Sequence, residues 1–310
     1  MSNQAILVSN LKKSYDGKEV LKDVSFSVPK GIIYALLGSN GAGKTTTIRI
    51  LTTQIPADGG KLQIEGYSVS ECPQKVRQII SLTGQFSLPV DESLTGKENL
   101  ILMGQLRHLS DPAKHACRLL EYFSLSSCGN QKVSSYSGGM KRKLDIAMSL
   151  IGHPKVIFLD EPTTGLDPQS RHNMWDLIKT LRASGVTIFL TAQYLEEAET
   201  LADTVAILHN GSIIAEGTPR ELKSYLPHGA LEIFFQDQKN LSAALSLFKD
   251  YKTSISSEEY KLTVFTDGKG DTLTEICSRL FQNNIKIQEI SQLTPKLEDV
   301  FLSMIHEKEV

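Results

Sequence analysis

The chain has 310 residues, of which 40% are hydrophobic and 22% charged, with a formal net charge of −2. That length allows one large domain and a smaller one, and the slightly acidic balance excludes a general electrostatic pull toward nucleic acid or anionic membrane. Cys72, Cys117, Cys128 and Cys277 are far apart, with no CxxC pair. They suit neither a zinc site nor a secreted disulfide framework, so buried thiols in a reducing cytosol are expected. The N-terminal residues lack signal-peptide order, and no apolar run approaches the roughly 20 residues needed to cross a bilayer, so a soluble chain is expected.

From Ala5 to Val28 apolar and polar residues alternate, which predicts antiparallel strands. A continuous apolar run, Ile32 to Leu37, reads as a buried strand that enters a glycine-rich loop and then a helix. Helical spacing follows around Leu100, Leu106, Leu119 and Leu120, with Thr95 and Glu98 placed as a capping box. A helix from about Gly139 is predicted to bury Met140, Leu144, Ala147, Met148 and Ile151, with Lys141, Arg142 and Lys143 facing solvent. Strand Val156–Leu159, a helix with Met174, Leu177, Ile178 and Leu181 on one face, strand Val186–Leu190 and a Glu-rich helix come next. This alternation predicts a mainly parallel sheet covered on both faces. Asn210-Gly211 marks a closing hairpin. The expected domain boundary lies after residue 222. Residues 223–310 read β-α-β-β-α-β-α, with strands near Leu231–Phe235, Lys252–Ser256, Lys261–Thr266 and Ile285–Ile290, an order that suggests a ferredoxin-like α+β domain.

Gly38, Ser39, Asn40, Gly41, Ala42, Gly43, Lys44 and Thr45 match GxxxxGK[ST] between the predicted buried strand and a helix. Glycines let backbone N–H groups turn inward around phosphates, and the helix start adds its positive dipole end. Lys44 is expected to reach the β- and γ-phosphates and Thr45 to bind Mg²⁺. Val156–Leu159 runs into Asp160, placed to hold Mg²⁺, and Glu161, placed to polarise the attacking water. Ser137, Gly138 and Gly139 open a second helix with free N–H groups and a hydroxyl, a second anion site. One phosphate loop already serves its own nucleotide, so the second site implies a nucleotide held by another subunit.

Together these motifs resemble the nucleotide-binding domains of ABC transporters over roughly Leu7 to Thr218. Gly38–Thr45 resembles Walker A, Ser135–Met140 the signature and Val156–Glu161 Walker B. The resemblance implies a P-loop NTPase fold with an N-terminal antiparallel β-subdomain and a helical signature subdomain, and ATP and Mg²⁺ as cofactors. It places Thr46 with the phosphate loop, Tyr15 on adenine, Gln85 as the residue that senses Mg²⁺ and water and relays to the membrane subunit, and Gly165-Leu166-Asp167 at a dimer interface. The implied partners are a second copy, with ATP sandwiched between, and a membrane permease. The implied location is the cytoplasmic face of the membrane, with no nucleic acid partner.

The signature reads Tyr136-Ser137-Gly138-Gly139-Met140 where Leu-Ser-Gly-Gly-Gln is commoner, and the switch position, commonly histidine, is Gln193. With Thr83–Phe86 and Pro295–Phe301, these departures resemble the daunorubicin-resistance type of exporter ATPase, which pairs with an ABC-2 type permease. A glutamine amide can donate to a γ-phosphate but cannot be protonated near neutral pH, so Gln193 is expected to act by positioning, the alternative being a slow or degenerate site. A soluble ABC ATPase acting on ribosomes or DNA, and a weakly catalytic regulator, are the competing readings. The C-terminal segment is open between a packing role and a sensing one.

Overall fold

The computed structural model describes residues 3–84, 90–192, 194–225, 229–293 and 296–309. The chain divides into two compact units, Met1–Pro219 and Arg220–Val310. In chain order the first carries β1 (Gln4–Tyr15), β2 (Lys18–Pro29), β3 (Ile33–Leu37), α1 (Lys44–Leu51), β4 (Gly59–Ile64), β5 (Tyr67–Ser68), α2 (Pro73–Ile79), β6 (Ile80–Thr83), α3 (Gly96–Leu106), α4 (Pro112–Tyr122), α5 (Gly138–Ser149), β7 (Val156–Asp160), α6 (Pro168–Ala183), β8 (Thr187–Thr191), α7 (Leu195–Leu201), β9 (Thr204–His209) and β10 (Ser212–Gly217). A short helix, α8 (Pro219–Lys223), follows. The second unit adds β11 (Ala230–Phe235), α9 (Gln238–Leu247), β12 (Thr253–Ser256), β13 (Lys261–Phe265), α10 (Gly270–Gln282), β14 (Ile287–Leu293) and α11 (Leu297–Glu309).

Among the described residues the first unit holds an antiparallel sheet in the order β2-β1-β4-β5 and a six-stranded sheet in the order β10-β9-β3-β8-β7-β6. In the second sheet β9, β3, β8, β7 and β6 run parallel, and β10 closes the edge antiparallel to β9. Every residue of β3 and β8 is buried, which is why these strands read as unbroken apolar runs: both faces are covered. Aromatic rings join the two sheets into one core. Phe26 of β2 stacks on Tyr34 of β3 at 5.4 Å, Tyr34 on Phe189 of β8 at 5.5 Å, and Phe189 meets Phe158 of β7 at 5.5 Å. The chain turns from β9 to β10 through Asn210 and Gly211, at φ 47° and 80°, the positive values that a tight hairpin needs.

The capping box at α3 is formed: Glu98 N–H donates to Thr95 Oγ1 at 3.1 Å and Thr95 N–H to Glu98 Oε2 at 2.8 Å. Leu100 and Leu120 are core residues, but Leu106 is 58% exposed at the end of α3. Asn99 takes an interior place on that helix instead, its amide bonded to Asp91 O, Thr95 O and Asp91 N–H. The cysteine expectation needs correction: only Cys128 is buried, Cys117 is exposed, and Cys72 and Cys277 are partly exposed. On α4 the inward positions are Ala116 and Leu120, and one residue further turns Cys117 about 100° toward solvent. All four are free thiols.

The second unit is a single antiparallel sheet ordered β12-β13-β11-β14. With α9 after β11 and α10 after β13, this is the ferredoxin-like arrangement. Leu231, Ile233 and Phe235 on one face of β11 pack with Leu241, Phe248, Ile276 and Leu280. Among the described residues, no helix is long and apolar enough to cross a membrane.

Candidate active site

Four parallel strands end at the same edge of the six-stranded sheet, the usual ligand edge of such folds. β3 leads into the glycine loop, β7 ends at Asp160, β8 ends at Thr191, and β6 ends at Thr83. Gln85 and Gln193 lie outside the described residues. Their described neighbours, Gly84 and Ala192, follow β6 and β8 at this edge.

The glycine loop is shaped by close packing. A Cβ at Gly38 would lie 2.4 Å from Leu208 O, and one at Gly43 would lie 2.5 Å from Leu21 Cδ2 and 3.2 Å from Val20 O. Gly41 and Gly43 have φ of 81° and 112°, open to glycine at no steric cost. Ser39, Asn40 and Gly41 are exposed and Ala42 is buried, with Ala42 N–H closing a turn on Ser39 O at 3.1 Å. Lys44 is 7% exposed, and its ammonium donates to Gly38 O at 2.7 Å and Ser39 O at 3.2 Å. Burial lowers its pKa, while the Glu161 and Asp160 carboxylates pull it up. Thr45 and Thr46 are half-buried on the first turn of α1.

Thr45, Asp160, Glu161, Gly84 and Thr164 line one cleft of about 560 Å³. Thr191 holds the Asp160–Glu161 turn from the next strand. Its hydroxyl donates to Asp160 Oδ1 at 2.6 Å and accepts from Glu161 N–H at 3.1 Å. Glu161 adopts φ 46°, a left-handed conformation that costs a non-glycine residue of order 1 kcal/mol or more and turns the chain sharply off the strand. Gly84 lies against this turn: a Cβ there would sit 2.9 Å from Asp160 O. The segment that carries Gln85 therefore starts in backbone contact with the Asp160 turn.

Ser137 caps α5, its Oγ accepting from Met140 N–H at 3.3 Å. Ser137 and Gly138 are exposed, and Gly139 lies beneath Ser170, whose Oγ would be 3.0 Å from an added Cβ. Tyr136, the unusual residue of the motif, is 5% exposed and donates its hydroxyl to Cys128 O at 2.9 Å. Burial pushes its pKa up to about 12. Gly165 has φ 77°, and Asp167 caps α6 by accepting from Ser170 N–H at 2.9 Å. Tyr15 stands at the end of β1, 41% exposed, with the Lys13 ammonium 5.4 Å from its ring centroid.

Arg142 does not face solvent as expected. Its side chain turns inward, donating to Pro162 O at 2.9 Å, Asp160 O at 3.1 Å and Asp145 Oδ2 at 2.8 Å. Helical position alone puts it beside two lysines, but the carbonyls of the Asp160 turn need donors, and a guanidinium can supply several at once. Lys141 is paired too, with Glu92 at 2.6 Å. Thr191 and Arg142 are the site residues the motifs missed. The available signals were a threonine ending an apolar strand two residues before Gln193, and an Arg142–Asp145 pair at i,i+3 on α5.

The oxygen donors of Thr45 and Asp160 on one cleft wall suit Mg²⁺, which takes few protein ligands and keeps phosphate and water for the rest.

These features are those of a nucleotide-hydrolysing cassette, and the comparisons agree: the chain belongs to the ABC transporter family. The family model described as ABC transporter matches residues 21–164. The chain is 42% identical to the doxorubicin resistance ATP-binding protein DrrA of Mycobacterium tuberculosis, over 97% of this chain and 94% of that protein. It is 39% identical to the daunorubicin/doxorubicin resistance ATP-binding protein DrrA of Streptomyces peucetius, over 97% and 92%. A solved ATP-binding cassette of an ABC transporter in its ADP conformation superposes with a TM-score of 0.64 at 27% identity, covering 71% of this chain and 93% of that one. The resemblance to the daunorubicin-resistance type is thus borne out over nearly the whole chain. The protein is an ATP-binding and ATP-hydrolysing subunit of an ABC transporter.

Proposed function

We propose that this chain drives export of a drug, antibiotic or lipid-like molecule, working as a pair of copies beneath a separate ABC-2 type permease at the cytoplasmic face of the membrane. The observation that carries the paired arrangement is a second glycine-led helix start, exposed at Ser137 and Gly138, in a chain whose phosphate loop already has its own Lys44 folded onto it. Gly138 also lines the cleft of Thr45, Asp160 and Glu161. In this reading Gly38 to Thr46 wrap the phosphates of one ATP, Tyr15 stacks on its adenine, and Ser137, Gly138 and Gly139 of the other copy complete the site. Thr45 and Asp160, with Gln85, would hold Mg²⁺, which supplies charge neutralisation at the β- and γ-phosphates. Glu161 takes the proton of the attacking water, and the Gln193 amide positions water and γ-phosphate. The names of the two relatives, both drug-resistance ATP-binding proteins, support the export direction. A mostly apolar groove bordered by Leu82 of β6 and by Met103 and Leu106 of α3 lies beside the strand that leads to Gln85. It offers the permease a route to the Mg²⁺ site, which also accounts for the exposure of Leu106.

Glu161→Gln tests the reading. The variant is expected to bind ATP, hydrolyse it about 10²–10⁴-fold more slowly and accumulate as a dimer in ATP and Mg²⁺ by size-exclusion chromatography with light scattering. Adding Ser137→Arg should abolish that dimer and leave ATP binding to the monomer intact. Loss of monomer binding in the Ser137→Arg protein would assign Ser137 to its own subunit's nucleotide and remove the composite site.

A further inference from the structure

Beside the Asp160–Glu161 turn, segments from four elements converge on one ionisable side chain that the reading above does not use. Glu197, in the first turn of α7, is 1% exposed. Thr163, two residues after Glu161, is 0% exposed, and Trp175 of α6 is 4% exposed. Both face the carboxylate, and the nearest positive charges are Arg142 of α5 and Arg171 of α6. Yet Glu197 Oε1, Thr163 Oγ1, Trp175 Nε1 and Arg171 Nε are all buried without a hydrogen-bond partner. Buried polar atoms are seldom left so, because each costs of order 1–3 kcal/mol. Thr163 and Trp175 already lower the carboxyl pKa as weak hydrogen-bond donors, but without full hydrogen-bond geometry, so the network is one small movement from closure. Burial pushes the Glu197 carboxyl up to about 7, against the opposing pull of Thr163, Trp175 and the two arginines. At neutral pH, protonated and ionised forms are therefore close in free energy.

The backbone connections show what such a closure joins. Glu197 N–H donates to Tyr194 O at 3.1 Å, and Tyr194 directly follows Gln193. The Arg171 guanidinium stacks 4.3 Å from the Tyr194 ring centroid, and Arg171 N–H bonds to Asp167 O at 2.9 Å. Glu197 thus lies where the segments carrying Gln193, Glu161 and the Gly165-Leu166-Asp167 turn meet. We propose that Glu197 is a positioning residue for ATP hydrolysis, whose carboxylate closes onto Thr163 and Trp175 when ATP engages the Gln193 segment, so that the three segments move as one body. The inference rests on the roles assigned above to Glu161 and Gln193.

Trp175 is the single tryptophan of the chain, so its fluorescence reports on this contact without any turnover. In full-length Glu161→Gln protein, ATP with Mg²⁺ is expected to shift the Trp175 emission, and adding Glu197→Gln should remove most of that shift. The amide keeps the shape of the side chain but brings a donor to a place where two donors already point. Glu197→Gln alone should lower kcat about tenfold, in line with small misplacements of catalytic groups, and leave KM for ATP within about twofold. It should also flatten the pH–rate profile near pH 7. Thr163→Val should act the same way, and the double variant should be no slower than either single one, the mark of coupled residues. If Glu197→Gln does not melt cooperatively, Thr163→Val in the Glu161→Gln background carries the fluorescence test. The proposal is overturned if emission shifts fully without Glu197, if it does not shift although a fluorescent ATP analogue binds, or if the two losses multiply. Failure of Glu161→Gln to bind the analogue at all would instead sink the reading of the nucleotide site, and this inference with it.

Discussion

Two helices of this protein begin with glycine chemistry, and they leave their first turns in different states. α1 starts after Gly43, which offers no side chain to cap it. α5 starts after Ser137, whose hydroxyl already accepts from the Met140 N–H. Neither has an acidic residue in its first turn, whereas α7, which starts after Tyr194, carries Glu196 and Glu197 there. Unfilled N–H groups and the absence of acids both favour an incoming phosphate. In the proposed reading α1 is therefore a complete anion site with its own cation, Lys44. α5 is a partial one, whose serine must exchange an internal bond for an external one, as suits a surface that meets its ligand only on assembly.

Lys44→Ala would break this contrast most severely. Without the ammonium, hydrolysis should fall by about 10³-fold or more, the upper range for loss of one charge-stabilising donor, in an ATPase assay on protein free of contaminating activity. A rate near wild type would mean that α1 is no better equipped than α5.

The acidic start of α7 offers the next largest effect, and its sign is the opposite of a simple loss. The Glu197 carboxyl titrates higher in the folded chain, at about 7, than in the unfolded one. The native state thus holds an extra proton between about pH 4.5 and 7, and stability declines as pH rises through that window. Glu197→Gln removes the decline, so its melting temperature at pH 8 should exceed that of the wild type, by an equivalent of up to about 3 kcal/mol, while the two converge at pH 4.5. Combined with the lower turnover argued above, that would mark a group kept for function at a cost in stability. Equal melting curves at pH 8 would show that Glu197 is already satisfied in its pocket.

Gly43→Ala tests whether α1 needs its bare start. Positive φ and a Cβ 3.2 Å from Val20 O should cost about 2 kcal/mol, read as a lower denaturation midpoint with weakened ATP binding. Ser137→Ala probes the self-filled cap of α5 and should cost only about 1 kcal/mol, with ATP binding to the monomer unchanged. Reversal of these two magnitudes would mean that α5, not α1, is the more demanding helix start.

The parts of this site that could be read from sequence are those whose chemistry is local. An apolar strand, a glycine loop and a helix start are contiguous from Ile33 to Thr46, and an apolar strand meets two carboxylates at Asp160 and Glu161. The succession of strands and helices along the second unit was legible in the same way, since β11 and β13 bury alternate residues. What stayed hidden depends on partners distant in the chain. Thr191 binds Asp160 from 31 positions away, and Arg142 bonds to carbonyls 18 and 20 positions away. Glu197 looks like one of several acids on a polar helix until α6 and the Thr163 turn close over it. Cysteine burial was misjudged because residue type sets only an average, and a shift of one position on α4 decides between core and solvent.

The inward turn of Arg142 also gives the molecule a fulcrum. The guanidinium ties α5 to the Asp160 and Pro162 carbonyls, five residues from Ser137, or about 7 Å along the helix axis. A rotation of about 10° around that tether would swing the α5 start by roughly 1 Å, enough to make or break a hydrogen bond. The same arginine would barely move against the catalytic turn. If α5 completes a neighbouring copy's site as proposed, small tilts of the helical region would be geared to the quality of that site, while each copy's own carboxylates stay in register.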